Sequence, residues 1–309
     1  MARRRKWTPT PGPGSLELPT PAKKTARVDR VESWGEFVTL ATGPRITSEP
    51  NPNYSAMASR NCEQSQAWDY CAGWQGAVDL AGRGWPEGLA RVEAIRANIS
   101  AVVARELTRP AWAFDVAGAV PDVARYLAGE PENMLTPCEE TAPARIVRLV
   151  VNLTASCNIT ADAMYQRGAA ALALVDAIES TGARVEIAAA DCIRSRSTDN
   201  MRALVVTLKR AEDHAEPDRL AFALAHPATP RRLVLAFAEN TYTDDARREF
   251  GIGSYYGIPS DLPDAERGDI YLPAAKGWEP HFATPETAAA WIMDTLRAQG
   301  IVETETQAA

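Results

Sequence analysis

The spacing of hydrophobic residues predicts helices in the first part of the chain. Trp34, Phe37 and Ala41 recur at helical intervals. A second helix is marked by the residues at 68, 71, 75 and 78 and should stop near the glycines at 82 and 84. A third helix is predicted from Pro86 to about Leu107, because proline is tolerated at the first position of a helix. The segment 47–65, rich in Asn, Ser and Pro, predicts a long loop.

The next stretch alternates short elements with turns. Trp112 to Val116 predicts a short strand and Pro121 to Leu127 a short helix, followed by the turn-rich residues 129–134. Pro137 to Ala144 then predicts a polar joint. No long apolar element is expected between the helices and residue 146.

From Ile146 onward the pattern predicts an α/β core. Ile146–Leu153 is typical of a buried strand, Thr160–Ser180 of a long Ala-rich helix, and Arg184–Ala190 of a second strand. A third strand, Ala203–Leu208, follows after about a dozen residues with no helical pattern. That gap is too short for a parallel crossover, so the second and third strands are expected to be antiparallel neighbours.

Further elements complete the predicted core. Asp218–Ala225 predicts a helix, Asp269–Leu272 a late strand, and Thr284 with Pro285 the start of a final helix that ends near Gly300. Arg231–Ala238 fits either a buried strand or a helix. The fold class predicted is α/β, with a disordered basic tail at 1–30, a mainly helical section at 31–143 and a Rossmann-like core at 144–309.

Charge is distributed unevenly along the chain. Residues 1–30 contain eight Lys or Arg against Glu17 and Asp29, a net charge of +6. Because the whole chain has a net charge of −7, the remaining residues carry −13. The prolines of this tail favour an extended, solvated chain. Such a tail could bind nucleic acid phosphates or the acidic body of the protein, but a solubilising role is the simpler interpretation.

Cysteine usage and hydropathy indicate a reduced, cytoplasmic protein. The five cysteines include no CxxC pair, no apolar run is long enough to span a membrane, and the N-terminus has no secretory signal pattern. The sequence also contains no phosphate-binding GxxxxGK[ST] loop and no HExxH zinc helix. These two classes of enzyme are not supported.

Polar residues at the end of the first core strand mark a candidate site. Asn152, Thr154 and Ser156 follow the apolar run, and ligands of α/β proteins bind beyond the carboxyl ends of parallel strands. Asp191 follows the second strand, with Arg194 and Arg196 in the loop beyond it. Thr154 and Ser156 could equally be caps that satisfy the free N–H groups of the following helix.

The order of elements resembles the von Willebrand factor type A fold, in which a short third strand runs antiparallel. The resemblance covers roughly half of the chain. In that family the first strand ends in Asp-x-Ser-x-Ser, which helps to bind a divalent ion, and the matching residues are Asn152, Thr154 and Ser156. The family's later ligands do not align with particular residues here, but Asp191, Asp199, Asn240 and Asp244 lie near predicted strand ends and could supply further oxygens. Asn152, Thr154, Ser156 and Asp191 are the metal ligands that we select. Because Asn152 replaces the carboxylate, we expect no cofactor, or only weakly bound Mg²⁺.

A second resemblance is to an uncharacterised family found in bacteriophages and actinobacterial genomes. It rests on Gly84-Trp85-Pro86-Glu87-Gly88, on the segment 129–134 and on His226-Pro227. It implies an origin in a phage or mobile element and supplies no activity.

Together these observations favour a noncatalytic protein-binding or adaptor protein. By resemblance, its partner could be a MoxR-type AAA ATPase, and the expected binding residues are Asn152, Thr154, Ser156, Asp191, Arg194 and Arg196. One alternative is a hydrolase that uses Cys157, with His226 as a base, or a metal at Asn152–Ser156. Another is a nucleic-acid-associated phage protein that acts through its basic tail.

Overall fold

The computed structural model describes residues 26–44, 70–107, 111–138, 145–252 and 256–302. The loop predicted at 47–65 and residues 1–25 of the predicted tail lie outside the described residues. The helices are α1 (Trp34–Thr42), α2 (Gly73–Arg83), α3 (Pro86–Leu107), α4 (Val123–Leu127), α5 (Ala161–Ser180), α6 (Pro217–Ala225), α7 (Leu235–Thr241), α8 (Asp244–Phe250) and α9 (Pro285–Ala298). The strands are β1 (Ala26–Val31), β2 (Ala111–Asp115), β3 (Val120–Pro121), β4 (Met134–Cys138), β5 (Ile146–Asn152), β6 (Arg184–Arg194), β7 (Met201–Lys209), β8 (Ile258–Pro259) and β9 (Ile270–Leu272).

A mostly parallel central sheet with flanking helices confirms the predicted α/β class. Its strand order is β1-β7-β6-β5-β9, with β8 paired to the end of β6. β5 runs parallel to both β6 and β9, and β1 runs parallel to β7. β6 and β7 are antiparallel neighbours joined by a short hairpin, as the spacing between them predicted.

The two faces of the sheet are packed differently. Along β5, Val147, Leu149 and Val151 belong to the large core under the helices, whereas Val150 belongs to a smaller cluster on the opposite face. Leu262, from the connection between β8 and β9, completes that smaller cluster. Because side chains alternate between the two faces of a strand, Asn152 lies on the same face as Val150.

Helix α5 forms the centre of the helical layer. Thr160 caps its N-terminus by accepting a hydrogen bond from the N–H of Ala163, and its Ala-rich sequence is buried along most of its length. At Gly168 a β-carbon would lie only 2.5 Å from the β-carbon of Ala225, so glycine allows α6 to approach α5 closely. α3 and α9 also pack on α5. Helix α3, which lies before residue 144, is therefore part of the same core.

Several boundaries differ from the sequence prediction. The tail boundary expected at residue 30 lies inside β1, because Ala26–Val31 pairs with β7. The polar joint expected from Pro137 begins inside β4, which pairs with β2. β6 continues beyond Ala190 to Arg194, because β8 takes the place beside it where β5 ends.

The ambiguous segment Arg231–Ala238 is helical. A π-helical turn over Thr229–Val234 runs directly into α7, and Pro230 sits in its first turn, where no N–H is required. Near the C-terminus, Thr284 caps α9 with a reciprocal hydrogen-bond pair with Thr287, which confirms the predicted start of the last helix. Within the described residues, no helix is long and apolar enough to cross a membrane.

Candidate functional site

Asn152 ends β5 with its side-chain amide fully engaged. Its Nδ2 donates to the carbonyl oxygen of Ser260 at 2.9 Å and to the hydroxyl of Tyr271 at 2.8 Å. Its Oδ1 accepts the N–H of Thr154 at 3.1 Å. The side chain is completely buried and ties β5 to the connection between β8 and β9. Asn152 therefore acts here as a structural amide.

Thr154 and Asp191 form a buried pair across the ends of β5 and β6. The hydroxyl of Thr154 donates to Oδ1 of Asp191 at 2.8 Å and accepts the N–H of Cys192 at 2.7 Å. Both side chains are less than a tenth exposed. The sequence prediction that these residues lie together is thus met by the structure, but they face inward.

Behind this pair lies a charged residue that the sequence analysis did not select. Nη2 of Arg202, on β7, is 3.3 Å from Oδ2 of Asp191, and the Arg202 side chain is completely buried. Within the described residues, none of the three guanidinium nitrogens of Arg202 has a hydrogen-bond partner, and neither has Oδ2 of Asp191. An arginine inside the apolar run of β7 is the sequence signal that could have indicated a buried ion pair.

The loops after β5 and β9 are joined by backbone hydrogen bonds. The N–H of Ser156 donates to the carbonyl of Ala275, and the N–H of Ala275 donates to the carbonyl of Thr154, both at 2.9 Å. The Ser156 hydroxyl adds a 3.2 Å bond to the carbonyl of Lys276. The two loops therefore form one rigid rim at the carboxyl ends of the parallel strands, and Thr160, rather than Thr154 or Ser156, caps α5.

An ion pair lies next to this rim. Nζ of Lys276 contacts Oδ2 of Asp261, and Oδ1 of Asp261 accepts the N–H of Ala274 at 2.9 Å. Partial burial acts to raise the pKa of Asp261, but these two hydrogen bonds outweigh it and hold the pKa below its usual range. The carboxylate stays ionised at neutral pH and holds the ammonium group of Lys276 beside the rim.

The oxygen atoms of the family pattern do not suit a magnesium ion. Oδ1 of Asn152 and the hydroxyls of Thr154 and Ser156 are all bonded within the protein, and Asp191 is opposed by Arg202. Mg²⁺ requires nearly octahedral oxygen ligands and at least one or two carboxylates. In the described part of the chain, no group of three or more His, Cys, Asp or Glu side chains is placed to hold a metal ion. Weak or absent Mg²⁺ binding stays a prediction.

The side chains exposed near the rim are not the polar residues Asn152, Thr154 and Asp191 that the sequence motif suggested. Trp278, in the loop after β9, is 72% exposed, and Lys276 is 53% exposed. Cys157 is exposed on the neighbouring loop. Arg194 and Arg196 are exposed on the hairpin between β6 and β7, where Arg194 pairs with Asp199. We call these five residues, Cys157, Arg194, Arg196, Lys276 and Trp278, the strand-end surface.

Trp278 was missed in the sequence analysis. It follows Gly277 in a polar segment between a predicted strand and a predicted helix. A large aromatic residue in a turn-rich loop, between Gly277 and Pro280, was the available signal.

The thiol and the imidazole of the hydrolase alternative are in different environments. Cys157 is exposed, whereas His226 is buried between Trp85 and Phe222, and its Nδ1 accepts the N–H of Ala228 at 3.0 Å. Cys192, at the end of β6, is completely buried, and burial raises the pKa of its thiol to about 12. Neither cysteine forms a nucleophile and base pair with His226 in the described structure.

Comparison with known proteins gives a family without an activity. A family model described as a domain of unknown function, DUF7192, matches residues 19–303. No curated protein and no solved structure is significantly similar to the chain. Because the match covers more than nine tenths of the sequence, the chain belongs to the DUF7192 family.

Proposed function

We propose that this protein is a noncatalytic adaptor that binds a protein partner at the strand-end surface. The single observation that carries the proposal is the exposure of Trp278 on a rim held rigid by the hydrogen bonds between Thr154, Ser156 and Ala275. Exposed tryptophans on ordered loops are typical anchors of protein interfaces, because a rigid aromatic ring buries much area at little entropic cost.

The buried polar residues have a supporting role in this proposal. Asn152, Thr154 and Asp191 were expected to contact the partner directly, but a residue less than a tenth exposed cannot do so in this conformation. They instead fix the loops that carry the exposed side chains. Ser156, Arg194 and Arg196 remain candidates for direct contact, with Lys276 and Trp278 added to them.

The topology supports a von Willebrand factor type A-like core. The order β7-β6-β5-β9, with β7 antiparallel to β6, agrees with the element order on which the resemblance rests, whereas β1 beside β7 is not part of that order. Such domains bind other proteins at this edge of the sheet. A MoxR-type AAA ATPase, in the cytoplasm of a host that carries a phage or mobile element, is the partner that the resemblance suggests.

Affinity capture from the native host tests the adaptor proposal. The intact chain should recover a protein partner, and Trp278→Ala should lose it, because the aromatic anchor is removed without disturbing the core. Arg219→Ala, which removes an exposed side chain of α6 away from the strand-end surface, is the matched control and should retain the partner. Equal recovery by Trp278→Ala and the intact chain would reject the surface.

A second candidate function is supported by where the basic tail joins the sheet. Ala26, at the start of β1, pairs with Met201 of β7, and Met201 pairs with Arg194 of β6. The first residue after the tail is therefore in register with Arg194, a basic residue of the strand-end surface two strands away. Residues 1–25 carry six Lys or Arg against Glu17. Nucleic acid binding that falls steeply with salt, and is weakened both by Arg196→Ala and by deletion of residues 1–25, would favour this function over the adaptor.

A further inference from the structure

The segment from β2 to β4 forms a small unit without a core of its own. β4 pairs with β2 and β3 in a three-stranded antiparallel sheet, and α4 follows β3. Between residues 113 and 137 no residue is buried. A small sheet needs a hydrophobic face covered by another element to be stable in water. This unit is therefore incomplete by itself.

Helix α4 turns its apolar side to solvent and a charged residue to the sheet, the reverse of an ordinary surface helix. Arg125 faces the sheet, with its guanidinium 4.0 Å from the centre of the Phe114 ring. The apolar residues Val123, Tyr126 and Leu127, at positions i, i+3 and i+4, are 63%, 67% and 78% exposed. That spacing normally identifies the buried side of a helix. Here the stripe faces solvent.

Three more large apolar residues of the same small unit are also exposed. Phe114, Val116 and Val120 are between 41% and 67% exposed, so six of the nine large hydrophobic residues that are exposed in the described chain lie within residues 114–127. We call these six the α4 patch. They leave on the order of 600 Å² of apolar surface uncovered, close to the ~800 Å² that each partner contributes to a standard protein interface.

Three of the four acidic residues around the α4 patch are already engaged. Asp122 caps α4 by accepting the N–H of Arg125, Asp115 accepts the N–H of Val116, and Glu130 pairs with Arg125. The segment 111–138 carries four acidic residues and one Arg, a net charge of −3, so two copies repel each other at low salt and the apolar contact has to outweigh that repulsion.

We propose that the α4 patch is a self-association surface that packs against the same patch of a second copy of this chain in a two-fold dimer. The apolar stripe of α4 and the estimated area carry the proposal. Two identical stripes can interdigitate across a two-fold axis, which is the commonest symmetry of soluble oligomers. The proposal is independent of the adaptor function, because the strand-end surface lies on other elements.

Sedimentation equilibrium of the full chain tests the dimer. The mass should rise from that of the 33.5 kDa monomer to twice that value as concentration increases. Val123→Ser with Leu127→Ser should weaken dimerisation by at least about tenfold. Trp278→Ser, an exposed apolar residue elsewhere, should leave it unchanged. Far-UV circular dichroism of each variant checks that the fold is retained.

Salt distinguishes this interface from an electrostatic one. A dimer of two acidic patches should not weaken in about 0.5 M NaCl, because salt screens the repulsion between them. A monomer at every concentration would overturn the proposal. If deletion of residues 1–25 then increased the binding of a hydrophobic dye, the occupant of the patch would be the chain's own basic tail, and the proposal would be overturned as well. A dimer unaffected by the Val123 and Leu127 substitutions would overturn it as well.

Discussion

The hydroxyl of Thr154 bridges two strands by donating to Asp191 and accepting the N–H of Cys192. This one side chain satisfies a buried carboxylate oxygen and a buried backbone donor at the end of the sheet. It explains why a hydroxyl residue follows β5 without invoking a metal ion. The contact also gives the first prediction.

Thr154→Val should destabilise the fold by about 1–3 kcal/mol, because it leaves Oδ1 of Asp191 and the N–H of Cys192 without a partner. Thr154→Ser keeps the hydroxyl and should cost much less. Urea unfolding of both variants measures the difference. Equal free energies of unfolding for the two would contradict the bridging role.

The ion pair of Arg202 with Asp191 should behave as a coupled unit. Arg202→Met alone leaves a buried carboxylate uncompensated and is expected to cost about 3–5 kcal/mol. Combining it with Asp191→Asn removes that charge, so the double variant should be more stable than Arg202→Met alone. A double-mutant cycle from chemical denaturation provides the test. Additive losses would show that the two charges do not interact.

Magnesium should bind weakly or not at all. The oxygens of Asn152, Thr154 and Ser156 are used in internal hydrogen bonds, and a cation would have to break several of them. Titration calorimetry with Mg²⁺ and Mn²⁺ is expected to show no binding in the micromolar range. Micromolar binding that Ser156→Ala abolishes would mean that the loops rearrange into a metal site.

Thiol reactivity should separate Cys157 from Cys192. The exposed Cys157 is expected to be alkylated first at pH 8, whereas the pKa of Cys192, raised by burial to about 12, keeps that thiol protonated as well as shielded. Mass spectrometry of peptides after brief treatment with iodoacetamide reports both sites. Labelling of Cys192 at the rate of Cys157 would show that the end of β6 opens readily.

Much of the fold could be predicted from periodicity and spacing. The dozen residues between the predicted strands Arg184–Ala190 and Ala203–Leu208 were sufficient to predict the antiparallel pairing of β6 and β7. The apolar run before Asn152 located the polar rim. The helix over 231–238 could not be decided, because short apolar runs suit a buried helix and a buried strand equally. The strand β1 was hidden by the charged residues Arg27, Asp29 and Arg30, which are tolerated at the edge of a sheet.

Thr154 and Asp191 lie together at one edge of the sheet, as the sequence predicted, but their burial was not predicted. The sequence pattern indicated which polar residues follow β5 and β6, yet whether Thr154 faces solvent or Asp191 depends on strand pairing and on Arg202. Trp278 could not be assigned to the rim, because only the pairing of β9 with β5 brings its loop there. Such placement depends on long-range contacts that have no local signal.

Photo-crosslinking from position 278 tests the central claim most directly. A photoreactive phenylalanine analogue at Trp278 in the full chain, expressed in the native host, should form an adduct with a different protein, because this position is the proposed anchor. The same analogue at Arg219, on α6 and away from the strand-end surface, should form none. No adduct from position 278, or equal adducts from both positions, would contradict the adaptor account.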